Sequence, residues 1–393
     1  MILITDSEAL ASFCERQRGT EFVAVDTEFM RDKTYWPQLC LVQVAGPDEA
    51  AAIDTLAAGI DLAPLLSLMA DPAILKVFHA ARQDIEIFYN LAAVPRPLFD
   101  TQVAAMVCGF GESVSYETLA SKLAGARIDK SSRFTDWSHR PLTEKQLTYA
   151  IADVVHLRKV YEKLRARLEK TERASWLAEE MAELTAPETY RADPAEAWRR
   201  FRLRGGNRKF LGILKELATW RELAAQQRNI PRSRIIRDES LLEIASHAPM
   251  NIADLARTRG LGRGVAEGKL GGEILAAVQR GLALPEDQQP KLPHRAELPA
   301  GLGPLTDLLR VLLKLRCEEN DVAQKLVANA EDLELIAASD DADVRALHGW
   351  RFELFGRDAL DLKHGKLALT ASGRKIRLVR LADAAVPEAA APS

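Results

Sequence analysis

The sequence has few cysteines and no long apolar run. Its four cysteines form no CxxC pair, which argues against a zinc site or a disulfide framework; they are Cys14, Cys40, Cys108 and Cys317. The longest apolar stretches, such as residues 39–45, are strand-length and fall far short of the ~20 residues that cross a bilayer. The opening residues also lack a basic segment followed by an apolar run, so no secretory signal is visible. We therefore expect a cytoplasmic protein with no membrane partner.

The composition and length indicate a soluble protein of two or three domains. Residues are 47% hydrophobic and 28% charged, and the 393-residue chain exceeds the ~100–200 residues of an ordinary domain. Short β-rich runs predict strands at residues 22–26, 39–44, 50–54 and 74–78. Helical patterns separate or follow them at residues 62–69, 84–91, 101–107, 116–123 and 143–170, the last with Thr143 as N-cap. Residues 1–185 are thus predicted to form a mixed α/β domain.

Beyond Pro187 the strand signals vanish and helical periodicity dominates. Leu211, Leu214 and Leu217 begin one apolar stripe, and after a proline-punctuated linker at 285–304 a similar stripe resumes at Leu305. The two blocks look like a diverged tandem pair of helical domains, at residues 207–284 and 302–377. The Ala/Pro-rich end, residues 378–393, is predicted to be a disordered tail.

The charge is unevenly divided along the chain. The net charge is only −3, yet residues 199–237 hold twelve Lys/Arg and two acids, so this segment is +10 and the remainder is −13. A basic block beside an acidic body favours attraction of a polyanion, because neutralising phosphates releases counterions. A solvated helix face with ordinary arginine usage fits the charge count equally well.

Asp26 and Glu28 follow directly on an apolar strand. The two-residue period of a strand places both carboxylates on the same side. Two acids facing one way repel each other unless a cation lies between them, and Mg²⁺ prefers oxygen ligands. Alone, the pair also fits a solvated strand end.

Two further acids occur in helical patterns. Asp84 lies in the first turn of a predicted helix, where the helix dipole favours a carboxylate but where acids are also commonplace. Tyr149 and Asp153 are four residues apart in a helix and therefore share a face. Taken singly, each fits an ordinary structural role. In combination with Asp26 and Glu28 they form a far more specific pattern than any one of them alone.

In this order along the chain, the carboxylates and the tyrosine form a recognised signature. Residues 1–185 resemble the DEDD exonucleases of the tyrosine subclass. Three further segments resemble the bacterial ribonuclease D family in particular: VDTEF at 25–29, PQLCL at 37–41 and TDWSHRPL at 135–142. The resemblance implies a ribonuclease H-like fold. It also implies two divalent metal ions, Mg²⁺ or Mn²⁺, held by Asp26, Glu28, Asp84 and Asp153, with Asp26 bridging, and Tyr149 acting on the attacking water.

The helical blocks extend this resemblance. Asn229-Ile230-Pro231, Trp220-Arg221 and the segment RGLG at 259–262 make residues 207–284 similar to an HRDC domain. Residues 302–377 resemble a divergent copy without the Asn-Ile-Pro segment, which either binds RNA or serves as a structural arm. The predicted architecture is therefore an α/β ribonuclease H-like exonuclease domain followed by two all-α HRDC-type domains.

The resemblance predicts a 3′→5′ exoribonuclease that releases nucleoside 5′-monophosphates. Its expected partner is RNA with a free 3′ end, above all tRNA precursors and other small structured RNAs, and no obligate protein partner is evident. Two alternatives stay open: a DNA-directed 3′→5′ exonuclease with the same chemistry, and a non-catalytic RNA-binding scaffold. Several residues near the motifs are candidates for substrate binding, by base stacking or by holding phosphates: Phe29, Tyr35, Trp36 and Phe88, and Lys130, Arg133 and Arg140. His79 is interpreted as a structural hydrogen-bonding residue.

Overall fold

A six-stranded sheet forms the centre of the N-terminal domain. The structure, a computed structural model, describes residues 2–129, 131–203, 205–292 and 298–381. The strands are β1 (Ile2–Ile4), β2 (Phe22–Met30), β3 (Gln38–Ala45), β4 (Ala50–Asp54), β5 (Leu75–Phe78) and β6 (Leu98–Asp100). Their order is β1-β4-β3-β2-β5-β6, in which β2, β3 and β4 pair antiparallel and the other neighbours pair in parallel. The four predicted strands are confirmed; β1 and β6, at three residues each, are too short to show a period.

Helices pack on this sheet. They are α1 (Ser7–Gln17), α2 (Ala63–Ala70), α3 (Arg82–Leu91), α4 (Thr101–Val107), α5 (Tyr116–Leu119), α6 (Glu144–Lys170) and α7 (Ala174–Leu184). The predicted start of α6 is confirmed, because the Thr143 hydroxyl accepts from the Gln146 backbone N–H and the Gln146 side chain accepts in return from the Thr143 N–H. The predicted helix at 116–123 is split into α5 and a π-helical turn, Ala120–Ala124. Helices α1 and α7 were not predicted.

Two short 3₁₀ turns, Pro187–Thr189 and Pro194–Arg200, lead to the first helical block. This block contains α8 (Arg208–Arg228), α9 (Arg232–Ile235), α10 (Asp238–His247), α11 (Ile252–Leu255), α12 (Arg263–Glu267) and α13 (Lys269–Ala283). Helices α8 and α13 pack closely at two glycines, since a Cβ on Gly281 would lie 2.4 Å from the Ile213 Cα. Larger residues at this crossing would force the two helices apart.

The second helical block ends in strands. It contains α14 (Gly303–Glu319), α15 (Gln324–Val327), α16 (Ala330–Ala338), α17 (Gly349–Arg351) and α18 (Arg357–Lys363), and then the antiparallel hairpin of β7 (Leu367–Ser372) and β8 (Lys375–Arg380). The prediction that this block is all-α is wrong for the hairpin. The predicted tail from 378 is also wrong for residues 378–380, which lie in β8; residues 382–393 lie outside the described part of the chain.

The two helical blocks belong to different hydrophobic cores. Buried residues of the second block, such as Leu312 and Phe355, belong to the same core as the N-terminal domain. The first block has a separate core, to which the N-terminal domain contributes Tyr35. Among the described helices, none is long and apolar enough to cross a membrane.

Candidate active site

Strand β2 positions the first two acids. Asp26 and Glu28 both line a cavity of about 720 Å³, as the strand period requires. The β2–β3 pairing shifts register between Glu28 and Phe29, and such bulges are common beside active sites. Carboxylate oxygens of Asp26, Glu28 and Asp153 all lie within 4.8 Å of one another. The structure therefore brings together acids that are more than a hundred positions apart in sequence.

Asp84 reaches the cavity through an unusual turn. Ala80, just before α3, has a left-handed backbone with φ of 57°, which L-residues disfavour. The Asp100 carboxylate holds this turn by accepting from the backbone N–H groups of Ala80 at 3.0 Å and Ala81 at 2.8 Å. Asp84 then lies in the first turn of α3, as predicted, and accepts a hydrogen bond from the Thr27 hydroxyl. Burial raises the pKa of Asp84, and the charge of neighbouring Asp26 raises it further.

Helix α6 supplies the last acid and the tyrosine. Tyr149 and Asp153, one turn apart, both line the cavity, and the Asp153 charge is among the causes that raise the pKa of the phenol. Tyr116, which no sequence motif singled out, also lines the cavity, and its hydroxyl donates to the Asp153 backbone carbonyl. His79 lies in the cavity wall with its Nδ1 3.0 Å from the Thr101 hydroxyl, which agrees with a hydrogen-bonding role.

The four carboxylates are held close together in a largely buried site. Burial is the largest cause that raises the pKa of Glu28 to about 10 and that of Asp153 to about 7. Burial and the charge of Asp153 together raise the pKa of Asp26 well above its usual range. Burial raises the pKa of the Tyr149 hydroxyl as well, and the neighbouring carboxylates raise it further. The site therefore disfavours negative charge unless a cation accompanies it.

This donor set fits a divalent cation. It consists of hard carboxylate oxygens that converge in an open cavity, which is what Mg²⁺ and Mn²⁺ prefer. Besides burial, repulsion from the other three acids raises the pKa of Glu28, and a cation between the acids would relieve that repulsion. Asp26, Glu28 and Asp153 would hold one ion, and Asp84 lines the same cavity near enough to Asp26 for the charge of Asp26 to raise its pKa.

Of the predicted substrate-binding residues, the structure places Phe29 and Arg133 in the cavity wall. The charge of Arg133 partly opposes the rise in the pKa of Glu28 and of Asp153. Its neighbour Phe134 was not predicted; it lines the cavity with its side chain 91% exposed and 5.3 Å from the Arg133 guanidinium. The sequence feature that could have identified Phe134 is an aromatic residue within the polar loop before α6.

The other predicted aromatic residues do not line this cavity. Phe88 is buried in the core, edge-on to Phe78. Tyr35 is buried against the first helical block, where its hydroxyl donates to Glu222, and Trp36 adjoins it. For these three residues the expectation of base stacking in the acidic cavity is not met, because apolar and interdomain partners cover them.

Arg140 also has a different position from the one expected. Its guanidinium makes a two-pronged ion pair with Asp54 at 2.7 and 2.6 Å, and donates to the backbone carbonyls of Cys40, Trp137 and His139. These bonds fasten the loop before α6 to β3 and β4 and occupy its donors, so Arg140 serves as a structural tie rather than a phosphate ligand. Lys130 lies outside the described residues.

Comparisons with known families agree with this site. A model of the 3′-5′ exonuclease family matches residues 1–169, and a model of the HRDC domain matches residues 210–278 in the first helical block. Together with the acid cluster, these matches define the chain as a 3′→5′ exonuclease with an attached HRDC domain.

Similarity to individual proteins narrows the class. Ribonuclease D of Granulibacter bethesdensis is 53% identical over 379 residues, covering 96% of each chain. Ribonuclease D of Acidiphilium cryptum is 53% identical over 384 residues, covering 97% of each. The crystal structure of Escherichia coli RNase D matches with a TM-score of 0.79 at 30% identity, over 92% of this chain and 98% of that one. The chain therefore belongs to the ribonuclease D family and is an exoribonuclease.

Replacing Asp153 by asparagine should stabilise the metal-free protein while removing a metal ligand. Because the folded pKa is raised from 3.8 to about 7, the native state holds more protons than the unfolded state in that window, and wild-type stability falls as pH rises through it. Asp153→Asn removes this loss and should add at least about 1 kcal/mol at pH 8, since one pKa unit is ~1.36 kcal/mol. Thermal unfolding in EDTA at pH 8 measures this.

Two controls accompany this measurement. Exposed Asp48→Asn should leave the unfolding temperature unchanged, and at pH 3.5 Asp153→Asn and wild type should converge. Mg²⁺ should stabilise wild type more than the variant. A wild type that equals or exceeds Asp153→Asn in stability at pH 8 without metal would contradict the raised pKa.

Replacing Arg140 should affect stability, whereas replacing Arg133 should affect substrate affinity. Arg140→Ala leaves the buried Asp54 carboxylate without its ion pair and should cost about 2 to 3 kcal/mol. Lysine cannot make the two-pronged ion pair, so Arg140→Lys should recover only part of the stability that Arg140→Ala loses. Arg133→Ala, an exposed change in the same loop, is the matched control. Urea unfolding distinguishes them, and equal stability of the two variants would refute the structural tie.

Proposed function

We propose that this chain shortens RNA by hydrolysing the 3′-terminal phosphodiester bond, and that it releases nucleoside 5′-monophosphates. The observation that carries the proposal is the cluster of Asp26, Glu28, Asp84 and Asp153 in one cavity, which Tyr149 also lines. Four largely buried acids serve no purpose for stability, because they repel one another.

Two divalent cations, Mg²⁺ or Mn²⁺, would supply stabilisation of the attacking and leaving oxygens of an in-line displacement. Asp26 is the candidate bridging ligand, since its charge acts on both Glu28 and Asp84. Glu28 and Asp153 would complete one coordination shell, and Asp84 the other. The Thr27 hydroxyl fixes the orientation of the Asp84 carboxylate.

Tyr149 acts as a hydrogen-bond donor and orienting residue rather than as a base. A free phenol has a pKa near 10, and both burial and the surrounding carboxylates raise the pKa of Tyr149 further. Its ring lies 6.1 Å from that of buried Trp137. Tyr149 therefore stays protonated at neutral pH and orients the water that attacks the phosphorus.

The natural substrates we propose are tRNA precursors and other small structured RNAs with 3′ extensions. The Escherichia coli relative is described as an exoribonuclease involved in structured RNA processing. In this chain, Arg200 of the connection before the first helical block and Arg237 within that block are exposed and line the same cavity, and they would hold the RNA body.

The second helical block is proposed to be a divergent HRDC domain with a docking role. Both blocks have a long helix, then a residue with φ near 50° (Asn229 and Asp321), then a four-residue helix and a helix of nine or ten residues. In each block this turn contacts the N-terminal domain. Asn229 accepts from the N–H groups of Tyr35 and Trp36, and the Asp321 carbonyl accepts from Arg173 at 3.3 Å.

Activity on defined RNAs tests the proposed function. With Mg²⁺, the protein should shorten a 3′-extended tRNA precursor and release 5′-monophosphates, and EDTA should stop it. Asp26→Asn should lower kcat at least about 100-fold, because it removes charge at the point of transition-state stabilisation. Asp48→Asn, outside the cavity, is the control. Product chromatography and sequencing of RNA ends measure both.

The same assay separates the alternatives. Faster degradation of a matched DNA oligonucleotide than of RNA would indicate a DNA-directed exonuclease. Undiminished RNA binding without any hydrolysis in Mg²⁺ or Mn²⁺ would indicate a binding scaffold, and full activity of Asp26→Asn would refute the site.

Phe134 is proposed to stack on a base of the RNA strand, beside Phe29 and Arg133. Its 91% exposure leaves the ring free, and stacking on an aromatic side chain contributes ~1–3 kcal/mol per base. Phe134→Ala should therefore raise KM for RNA about 10-fold and leave the unfolding temperature unchanged. Phe134→Tyr should retain the wild-type KM. Steady-state kinetics on a short RNA measure this, and an unchanged KM in the alanine variant would exclude stacking.

A further inference from the structure

A second cavity, of about 250 Å³, lies between the N-terminal domain and the first helical block. Its lining is strongly basic and comes from four separate segments of the chain. The arginines are Arg31 from the β2–β3 connection, Arg82 from α3, Arg191 and Arg200 from the interdomain connection, and Arg232 from α9. Glu86 is the one acid among the described lining residues.

The positive charge of this cavity is only partly balanced. Arg31 pairs with Glu86 at 2.8 and 2.7 Å, and Arg232 pairs with buried Glu222. Among the described residues, Arg82, Arg191 and Arg200 make no salt bridge, and all three are exposed. The charge of Arg200 acts on Glu222, but that carboxylate already pairs with Arg232, so the small cavity keeps an excess of positive charge and attracts an anion that offers several acceptor oxygens.

The walls of the cavity are held in place before any ligand arrives. The Tyr35 hydroxyl bridges Glu222 and Arg232, and the Arg232 guanidinium lies 4.5 Å from the Tyr35 ring centre. Asn229 accepts from the backbone of Tyr35 at 3.1 Å. Docking of the first block on the N-terminal domain therefore creates this cavity and fixes its shape.

Helix α3 lies between this cavity and the acid cluster. Arg82 and Glu86, one turn apart, line the arginine cavity, whereas Gln83 and Asp84 line the acidic one. The two cavities thus lie about one helix diameter, ~10 Å, apart. A single strand that passes from one cavity to the other would therefore cover only a few nucleotides.

We propose that the arginine cavity binds a backbone phosphate of the RNA strand a few nucleotides from the 3′ end that enters the acid cluster. The identity of the strand rests on the proposed function. Guanidinium groups match a phosphodiester in geometry and ignore the base, so the site would suit any sequence. Arg200 and Arg232 also line the next cavity, of about 460 Å³, with Arg237, which continues the basic path onto the first block.

Binding of a 5′-labelled twelve-nucleotide RNA in EDTA tests the proposal, because EDTA removes hydrolysis from the measurement. Arg191→Ala with Arg200→Ala should raise Kd about 10-fold or more, since a hydrogen bond to a charged group contributes ~1.5–3 kcal/mol. The log–log slope of affinity against salt should become shallower by ~0.7 for each phosphate that is no longer neutralised. Arg200→Lys keeps the charge but not the fork, and should give an intermediate Kd.

The matched control is Lys159→Ala with Lys163→Ala, which removes two exposed charges on α6 that line none of these cavities. Its Kd should stay within about twofold of wild type. Equal affinities and salt slopes for the two double variants would overturn the proposal. Arg191→Glu is a second variant with the same expected weakening, should the double variant unfold.

Two further results separate this proposal from others. Weakened RNA binding in the arginine variants, without hydrolysis by wild type in Mg²⁺, would support the site and refute the proposed function. Hydrolysis by wild type with unchanged RNA binding in the arginine variants would support the proposed function and refute the arginine site. Inorganic phosphate is the second probe: submillimolar affinity that depends on Arg191 and Arg200 would indicate a free-phosphate site and overturn the strand assignment.

Discussion

The constraint on which the active site depends is that four carboxylates must be buried together. Burial raises the pKa of Asp26, Glu28, Asp84 and Asp153, and repulsion from neighbouring acids raises the pKa of the first three further, so the folded chain must hold the carboxylates together against an electrostatic force. Three rigid elements of the fold position them: the β2 strand, the left-handed turn fixed by Asp100, and the capped start of α6. Each element is stabilised by its own hydrogen bonds or core packing, so its conformation does not depend on the carboxylates. A cation bound between the carboxylates relieves their mutual repulsion, and this relief strengthens its binding.

The helical blocks extend this rigid scaffold. Each docks through the turn after its first long helix, and the two docking points lie on different parts of the N-terminal domain: the β2–β3 connection for the first block, and the neighbourhood of α4 and α7 for the second. The second docking point is reinforced by stacking of Trp176 on Trp350 with ring centres 4.2 Å apart. The shared core of the second block with the N-terminal domain disfavours a loosely tethered arm, because separation would expose that apolar surface to water.

Local rules predicted the acids but not the fate of the arginines and aromatic residues. Strand and helix periods fix which side chains share a face, so Asp26 with Glu28 and Tyr149 with Asp153 could be paired from sequence. Whether Arg140 or Tyr35 faces solvent depends on Asp54 and Glu222, which are 86 and 187 positions away and have no sequence signal linking them. The β7–β8 hairpin was missed for a different reason. Its alternating pattern around Gly373 was present, but the resemblance to a helical domain was extended over it.

The basic segment counted along the sequence is not the same set of residues as the basic surface of the folded chain. Within the +10 segment, Arg221 is buried and bonded to Asp238 and the Ile236 carbonyl, and Arg232 is paired with Glu222, so neither presents a free charge. Arg82 and Arg191 lie outside that segment yet reach the same cavity as Arg200. The basic surface is therefore a product of domain docking, not of local composition. Because α3 carries Arg82 beside Asp84, any shift of the first block relative to this helix would change RNA binding and the position of the 3′ end together.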